Sequence, residues 1–323
     1  MKRRILMGGL GFTGLAASGA FAQTPQRVAR VAFLSRAASE SRPAYLAFCA
    51  RLRELGWIEG QNFELKFYLG DGTGERSLES RARAIASSGV DVVLADGTAA
   101  TRTMAAASRT IPIVAIMGND PTKFGLATSL ARPGGNVTGV TIFSELLNAK
   151  RLELLRDILP AAKRIAIIHS RETEVGVIRS LHTSTELGFD VRRIKIDALL
   201  DIPRLLSVEE LAEIDAVLII PAPFFDFAPG LIVGPLNAAR KPAIYPDRTY
   251  AEIGGMMSYG IDLAEAFRRL AGYVNRVLRG ESPAAIPFER PERFELVLNM
   301  RTLRLLGLSV PPIILARADE VLE

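Results

Sequence analysis

The chain has 323 residues, of which 49% are hydrophobic and 23% are charged, and its formal net charge is +5. This composition is ordinary for a folded globular protein, so it excludes a mainly disordered chain and a coiled coil, and the single cysteine excludes a disulfide scaffold. At roughly 100–200 residues per domain, the length predicts two domains or one large one.

The first 22 residues predict an export signal. A basic cluster at 2–4 precedes an apolar run over 5–17, and Ala20-Phe21-Ala22 has the small-residue spacing of a cleavage site. The apolar run is shorter than the ~20 residues that a membrane-spanning helix needs. We therefore expect cleavage after Ala22 and a periplasmic location, with the Sec and twin-arginine routes both open.

Removal of this signal changes the charge of the chain. It takes away three basic and no acidic residues, which leaves 37 basic residues against 35 acidic ones, or +2. The remaining basic groups alternate with acidic ones and form no stripe interleaved with aromatic residues. We therefore expect no nucleic-acid partner.

Apolar runs and helical spacings alternate along the chain, beginning with predicted strands at 30–34, 62–69, 90–95, 111–117 and 137–143, and helices at 43–55, 75–87 and 98–108. A second round has strands at 164–169, 191–196, 216–220 and 242–245, and helices at 146–159, 175–187, 208–214 and 231–239. The last predicted elements are helices at 262–278 and 300–306 and a strand at 294–298. This alternation predicts an α/β fold of two doubly wound parallel-sheet lobes, with the ligand in the cleft between them.

Candidate ligand-binding residues follow the strands of the first lobe. Asp96, Gly97 and Thr98 stand where a strand turns into a helix, and free N–H groups at a helix N-terminus favour a carboxylate. The alternative is that Asp96 or Thr98 only caps the helix. The other candidates at strand ends in this lobe are Ser35, Arg36, Asn119 and Asp120.

The second lobe has its own strand-end candidates. Phe224 and Phe225 are placed to stack on an apolar or aromatic ligand, or alternatively to form core beneath a loop. The other candidates are His169, Ser170, Pro223, Tyr245 and Asp247.

Catalytic and metal-binding patterns are absent from the sequence. Its two histidines, His169 and His182, are 13 positions apart and lack the neighbouring ligands of a metal site. We find no nucleophile elbow, phosphate-binding loop or zinc-protease motif. The sequence therefore predicts a binding protein without a cofactor, not an enzyme.

Several segments resemble one family of exported proteins. They are LRELGWIEGQN at 52–62, SLARPGGNVTG at 129–139, KRLELL at 150–155, GGMMSYG at 254–260, FELVLN at 294–299 and LARADE at 315–320. In this order and spacing they resemble the substrate-binding proteins of ABC transporters that are related to tryptophan- and tyrosine-binding proteins. The resemblance extends over roughly residues 30–323.

The resemblance implies a type I periplasmic-binding-protein fold, in which a hinge joins two lobes that close on the ligand. It implies a first lobe of 28–143 plus 256–285 and a second lobe of 144–255 plus 286–323, with crossings near Ser144, Gly254-Gly255 and Pro287. It also implies a monomer that delivers a small ligand to a membrane ABC permease.

The ligand and two other functions stay open at this stage. The chain departs from the family pattern at Gly118-Asn119 and at Pro221-Ala222-Pro223, both at predicted cleft positions. We therefore expect a carboxylate-bearing ligand, with an aromatic amino acid as one option. The alternatives are an exported small-molecule sensor and an α/β enzyme with an unfamiliar site. A transcription regulator with the same core is disfavoured, because an export signal stands where such a protein has its DNA-binding helices.

Overall fold

A computed structural model of the protein describes residues 27–35, 43–69, 75–222, 225 and 228–323. The predicted signal peptide therefore lies outside the described residues, as do three of the candidate ligand-binding residues, Arg36, Pro223 and Phe224. Within the described ranges, no helix has both the length and the apolar character required to span a membrane.

The first sheet has five parallel strands in the order β2-β1-β3-β4-β5, which are Ala29–Ser35 (β1), Phe63–Leu69 (β2), Val92–Asp96 (β3), Ile113–Met117 (β4) and Val137–Thr141 (β5). Every residue of β3, β4 and β5 is buried, as expected for parallel strands covered by helices on both faces. The connecting helices are Pro43–Glu54 (α1), Glu75–Ala86 (α2) and Thr98–Ala107 (α3). A short 3-10 helix, Pro121–Phe124, follows β4.

The second sheet has seven strands in the order β12-β11-β10-β9-β8-β6-β7. They are Arg164–His169 (β6), Asp190–Lys195 (β7), Ala216–Ile219 (β8), Ala243–Tyr245 (β9), Met257–Gly260 (β10), Glu295–Asn299 (β11) and Glu320–Leu322 (β12). Its helices are Ser144–Ile158 (α4), Glu174–Glu186 (α5), Ile202–Leu205 (α6), Gly230–Ala238 (α7), Arg248–Glu252 (α8), Met300–Leu305 (α10) and Pro312–Leu315 (α11). Two mainly parallel β-sheets with connecting helices confirm the predicted α/β fold class.

One long helix, Leu263–Leu278 (α9), returns from the second sheet to the first lobe. It packs against α1, and its Phe267 ring lies 5.1 Å from the Tyr45 ring, measured between centroids. The Tyr45 ring also contacts Phe33 of β1 edge to face at 4.5 Å. The described part of the chain therefore passes between the lobes three times, and these passages bring both lobes to one cleft.

Two of the passages lie later in the chain than expected. One passage was predicted near Gly254-Gly255. Strand β10, however, pairs with β9 and β11 in the second sheet, so the chain leaves that sheet only after Gly260. The other was expected near Pro287, but the Glu289 N–H donates to the Gly139 carbonyl of the first sheet at 2.9 Å. These pairings between distant segments have no local sequence signal.

Several elements differ from their predictions. Where a helix was predicted over 208–214, residues 208–213 form turns. Strand β11 runs antiparallel to β10, so the second sheet is mixed, and β10 and β12 had not been predicted as strands. Both are short, with four and three residues, and such lengths carry too few positions to show a period.

Candidate functional site

A cleft opens between the two sheets where strands of both lobes end. From the first lobe it is lined by Asp96, Gly97, Thr98, Ile116, Gly118 and Asn119. From the second lobe and its loops it is lined by Thr173, Ile220, Pro221, Ala222, Pro246 and Asp247. The passages between the lobes and helix α4 add Ile142, Ser144, Leu147, Arg151, Ile261 and Leu263. The apolar part of this described lining consists of aliphatic side chains and proline rings.

The N-terminus of helix α3 forms the polar part of the first-lobe wall. Gly97 has a φ of 96°, a conformation that favours glycine, and it turns the chain from β3 directly into the helix. The first N–H groups of an α-helix have no intrahelical acceptor, and no described side chain caps those of α3. Thr98 instead donates its hydroxyl to Asn119 Oδ1 at 3.1 Å. The helix end can therefore accept an anion from the cleft.

Asp96 contributes a buried carboxylate beside this helix end. It is 7% exposed, and its Oδ2 accepts hydrogen bonds from Tyr45 Oη at 2.7 Å and from Ser35 Oγ at 3.2 Å. Ser35 itself is fully buried and is not among the described residues that line the cleft. The predicted site residue Ser35 therefore orients Asp96 from behind.

Asn119 and Asp120 have different environments although they are adjacent. Asn119 lines the cleft and accepts the hydrogen bond from Thr98. Asp120 instead caps the 3-10 helix Pro121–Phe124, because its Oδ1 accepts from the backbone N–H of Thr122 at 2.9 Å and from the Thr122 hydroxyl at 2.7 Å. This is the turn role that an Asp-Pro pair commonly has.

On the second-lobe side, Asp247 lines the cleft and is 6% exposed. Its Oδ1 caps helix α8 by accepting from the Thr249 N–H at 2.9 Å. Tyr245 is fully buried in the core of the second lobe, where its ring stacks on Tyr250 at 5.2 Å. Phe225 also lies in this core and is 1% exposed, which corresponds to the core alternative for this residue.

His169 is the last residue of strand β6 and Ser170 follows it, and neither is among the described lining residues of the cleft. His169 is 1% exposed, and its Nδ1 lies 3.1 Å from the Ser170 carbonyl oxygen and 3.5 Å from Glu174 Oε2. Burial lowers the pKa of His169, although the Ser170 carbonyl and Glu174 oppose this shift. From this segment, Thr173 reaches the lining.

Arg151 is a lining residue that the strand-end argument missed. It is 1% exposed, and its guanidinium donates to the carbonyl oxygens of Tyr259 at 2.7 Å and Pro246 at 3.1 Å, and to Asn148 Oδ1 at 2.6 Å. Burial lowers its pKa to about 10, while Asp247 acts in the opposite direction. A sequence signal was present, because Arg151 follows Leu147 by four residues on the buried face of α4.

The model of one protein family matches this chain over residues 32–322, and its description is ABC transporter substrate binding protein. The chain belongs to this family. The resemblance seen in the sequence is thereby confirmed, and it covers both lobes and the cleft between them.

Relatives of this substrate-binding protein agree with its fold. It is 26% identical over 266 residues to a tyrosine-binding protein of Clostridioides difficile, which covers 81% of this chain and 76% of the relative. An ABC domain in complex with L-Trp from Streptococcus pneumonia superposes with a TM-score of 0.80 at 23% identity, covering 91% of this chain and all of that one. A conserved domain protein from Vibrio cholerae superposes with a TM-score of 0.82 at 24% identity and the same coverage.

The described lining of the cleft in this substrate-binding protein includes two buried carboxylates, a buried guanidinium and an uncapped helix N-terminus. Among the residues that the structure describes, no three histidine, cysteine or acidic side chains are grouped to hold a metal ion. What the arrangement offers is a set of fixed donors and acceptors around an aliphatic cavity. Such a set suits the binding of a small zwitterion.

Proposed function

We propose that this protein binds a small carboxylate-bearing ligand, of the α-amino-acid class, in the cleft and delivers it to a membrane ABC permease. The observation that carries this proposal is the N-terminus of α3, which no described side chain caps and which faces the cleft between Asp96 and Asn119. A ligand carboxylate there would accept hydrogen bonds from the free backbone N–H groups. The buried carboxylates of Asp96 and Asp247 would favour a ligand ammonium group.

Aromatic amino acids are the first candidates because of the relatives, one named as a tyrosine-binding protein and another solved with L-Trp. Phe225 supplies no support for stacking, since it is buried in the core of the second lobe. The aliphatic lining around Ile116, Ile220 and Ile261 is compatible with an aromatic or an aliphatic side chain. We therefore propose the amino-acid class and test the side chain by experiment.

The same proposal includes export, a monomeric state and closure of the lobes around the ligand. Cleavage after Ala22 would release residues 23–323 into the periplasm. We propose a first lobe of 28–143 with a return segment from about Ile261 to Glu289, and a second lobe of the remaining chain. These boundaries follow the sheet pairings of β10 and Glu289.

Mass spectrometry of the protein purified under native conditions, followed by calorimetry with the molecule it carries, tests this function. We expect an amino acid to be released on denaturation and to rebind. Ligand at 100 times its Kd should stabilise the fold by about 2.7 kcal/mol. If no amino acid or small carboxylate raises the melting temperature, the proposed ligand class is wrong. Consumption of the bound molecule during incubation would favour an enzyme instead.

A further inference from the structure

Arg151 presents a buried cation to the cleft. The three acceptors of its hydrogen bonds are two backbone carbonyls and the amide oxygen of Asn148, and all of them are neutral. The Asp247 carboxylate acts electrostatically on this guanidinium, but it accepts none of its described hydrogen bonds. Burying a cation whose hydrogen-bond acceptors are all neutral is costly, and an anion placed against it would lower that cost.

The hydrogen-bond count around Arg151 is also incomplete. A guanidinium carries five N–H donors, of which the described contacts use three. The adjacent Asn148 is fully buried, and its Nδ2 has no hydrogen-bond partner within the described part of the chain. Donors without described acceptors therefore cluster at one point of the second-lobe wall, and only an acceptor can satisfy them.

The position of the guanidinium is fixed by the backbone around it. At Gly260, a Cβ atom would lie 1.8 Å from the Pro246 carbonyl oxygen and 3.4 Å from Arg151 Nη2. The close approach of β10 to the Pro246 loop thus needs a glycine, and it holds two of the carbonyls that orient Arg151. A group held in this way loses little conformational entropy when it binds a ligand.

We propose that Arg151 is the second-lobe contact for the ligand carboxylate, opposite the N-terminus of α3 in the first lobe. This inference rests on the proposed function and adds the residue that recognises the carboxylate from the other lobe. The planar guanidinium matches the two oxygens of a carboxylate better than those of any neutral group. A carboxylate held from both lobes would link its recognition to closure of the cleft.

The test pairs a change in the protein with a change in the ligand. Calorimetry measures the Kd of L-tyrosine and L-tyrosinamide, and of L-tryptophan and its amide, for wild type and R151Q. The pH is chosen so that the amine of each amide stays protonated. We expect R151Q to weaken binding of the acids about 10- to 100-fold, as for a lost hydrogen bond to a charged group, and to change amide binding less than about threefold.

A role in stability alone makes a different prediction. If Arg151 only supports the fold, R151Q will weaken acids and amides by the same factor, and that result overturns the proposal. Arg156 provides the matched control, because it also lies on α4 and donates to the carbonyls of Pro160, Ala162 and Leu187. R156Q should lower the melting temperature without changing the ratio of acid to amide affinity.

R151K provides a second test of Arg151. If R151Q does not fold, R151K keeps the charge and loses the planar fork, so it should weaken acid binding about tenfold and leave the amides unchanged. Equal affinity of R151K and wild type for the acids overturns the proposal. If wild type binds amides as tightly as acids, the carboxylate class of the proposed function fails, and the Arg151 assignment fails with it. If wild type binds none of the four aromatic probes, the same comparison is made with the amino acid released on denaturation and its amide, and an unchanged acid preference in R151Q again overturns the assignment. By contrast, a wild type that prefers acids together with an unchanged preference in R151Q refutes only the role of Arg151.

Discussion

At the scale of single residues, glycine has opposite roles in strand β10 and helix α9. Gly260 is required by contact, since a Cβ there would overlap the Pro246 carbonyl oxygen. Gly272 lies inside α9 and has open space where a Cβ would stand, so it contributes only backbone entropy to the unfolded chain. The same substitution should therefore have opposite effects at the two positions.

We predict that G260A destabilises the fold by about 3 kcal/mol, because the backbone at Pro246 must move to admit the methyl group. G272A should stabilise it by about 0.5–1 kcal/mol through the higher helix propensity of alanine. Urea unfolding of both variants beside wild type measures these changes. A neutral G260A would contradict the close packing described for this part of the cleft.

His169 is a second residue with a measurable signature, because burial lowers its pKa below the ordinary value of 6.5. As the pH falls below 6.5, the unfolded chain binds the His169 proton more readily than the folded chain does, because the pKa of His169 is lower in the folded chain. His169 therefore contributes stability above about pH 6.5, and this contribution is lost as the pH falls toward the lowered pKa, by at most about 1.4 kcal/mol per pH unit. Glu174, Arg193 and Lys195 are the charged groups that act on it.

Unfolding measured between pH 8 and pH 5 tests this assignment. H169Q should flatten the loss of stability on the acid side relative to wild type. H182Q is the control, because His182 is 77% exposed on helix α5 and should leave the profile as it is. An identical acid-side slope in H169Q and wild type would show that other groups cause the pH dependence.

At the scale of elements, the first passage between the lobes contains a strained residue. Phe143 has a φ of 48° and precedes helix α4. The residues on either side hold it there, since the Ile142 N–H donates to the Met117 carbonyl and the Ser144 N–H to the Gly118 carbonyl, both at 2.8 Å. The Arg290 guanidinium of the third passage lies 4.3 Å from the centroid of the Phe143 ring.

We predict that F143G is more stable than F143A by about 1 kcal/mol, although both lose the contact with Arg290. The physical reason is that alanine keeps the cost of the left-handed conformation and glycine does not. Thermal or urea unfolding gives the difference directly. Should F143A equal or exceed F143G in stability, the left-handed conformation at this passage would be refuted.

At the scale of the whole molecule, the three described passages are covalent links between the lobes, and the cleft is lined from both of them. Closure around a ligand would hide its carboxylate and the Asp96 and Asp247 side chains from water. A hinge of this kind moves the lobes as bodies and leaves their cores intact. The two-lobe design would therefore couple ligand binding to a change of shape that a permease can detect.

We predict that a saturating ligand lowers the radius of gyration in small-angle X-ray scattering and leaves the far-ultraviolet circular dichroism unchanged. The reason is that closure repositions the lobes without altering their helices and strands. R156Q, which lies away from the cleft, should show the same decrease as wild type. A radius that is independent of ligand would contradict closure as the binding mechanism.

Much of this architecture could be predicted from the sequence alone. The apolar runs of β1, β3 and β4 identify buried strands, and their alternation with helices specifies two α/β lobes. Because the carboxyl ends of parallel strands meet at one edge, the same argument placed Asp96, Asn119 and Asp247 near the cleft, and all three line it. These inferences succeed because periodicity is a local property of the chain.

Other features depended on contacts between distant segments, and only the tertiary structure decided them. Strand β10 joins the second sheet because β9 and β11 pair with it, and Phe225 turns into the core instead of toward the cleft. Arg151 became a site residue because the carbonyls of Pro246 and Tyr259, more than 90 positions away, hold it in the wall. Sequence spacing determines which face of a helix is buried, whereas the depth of a side chain and its partners depend on how separate elements pack.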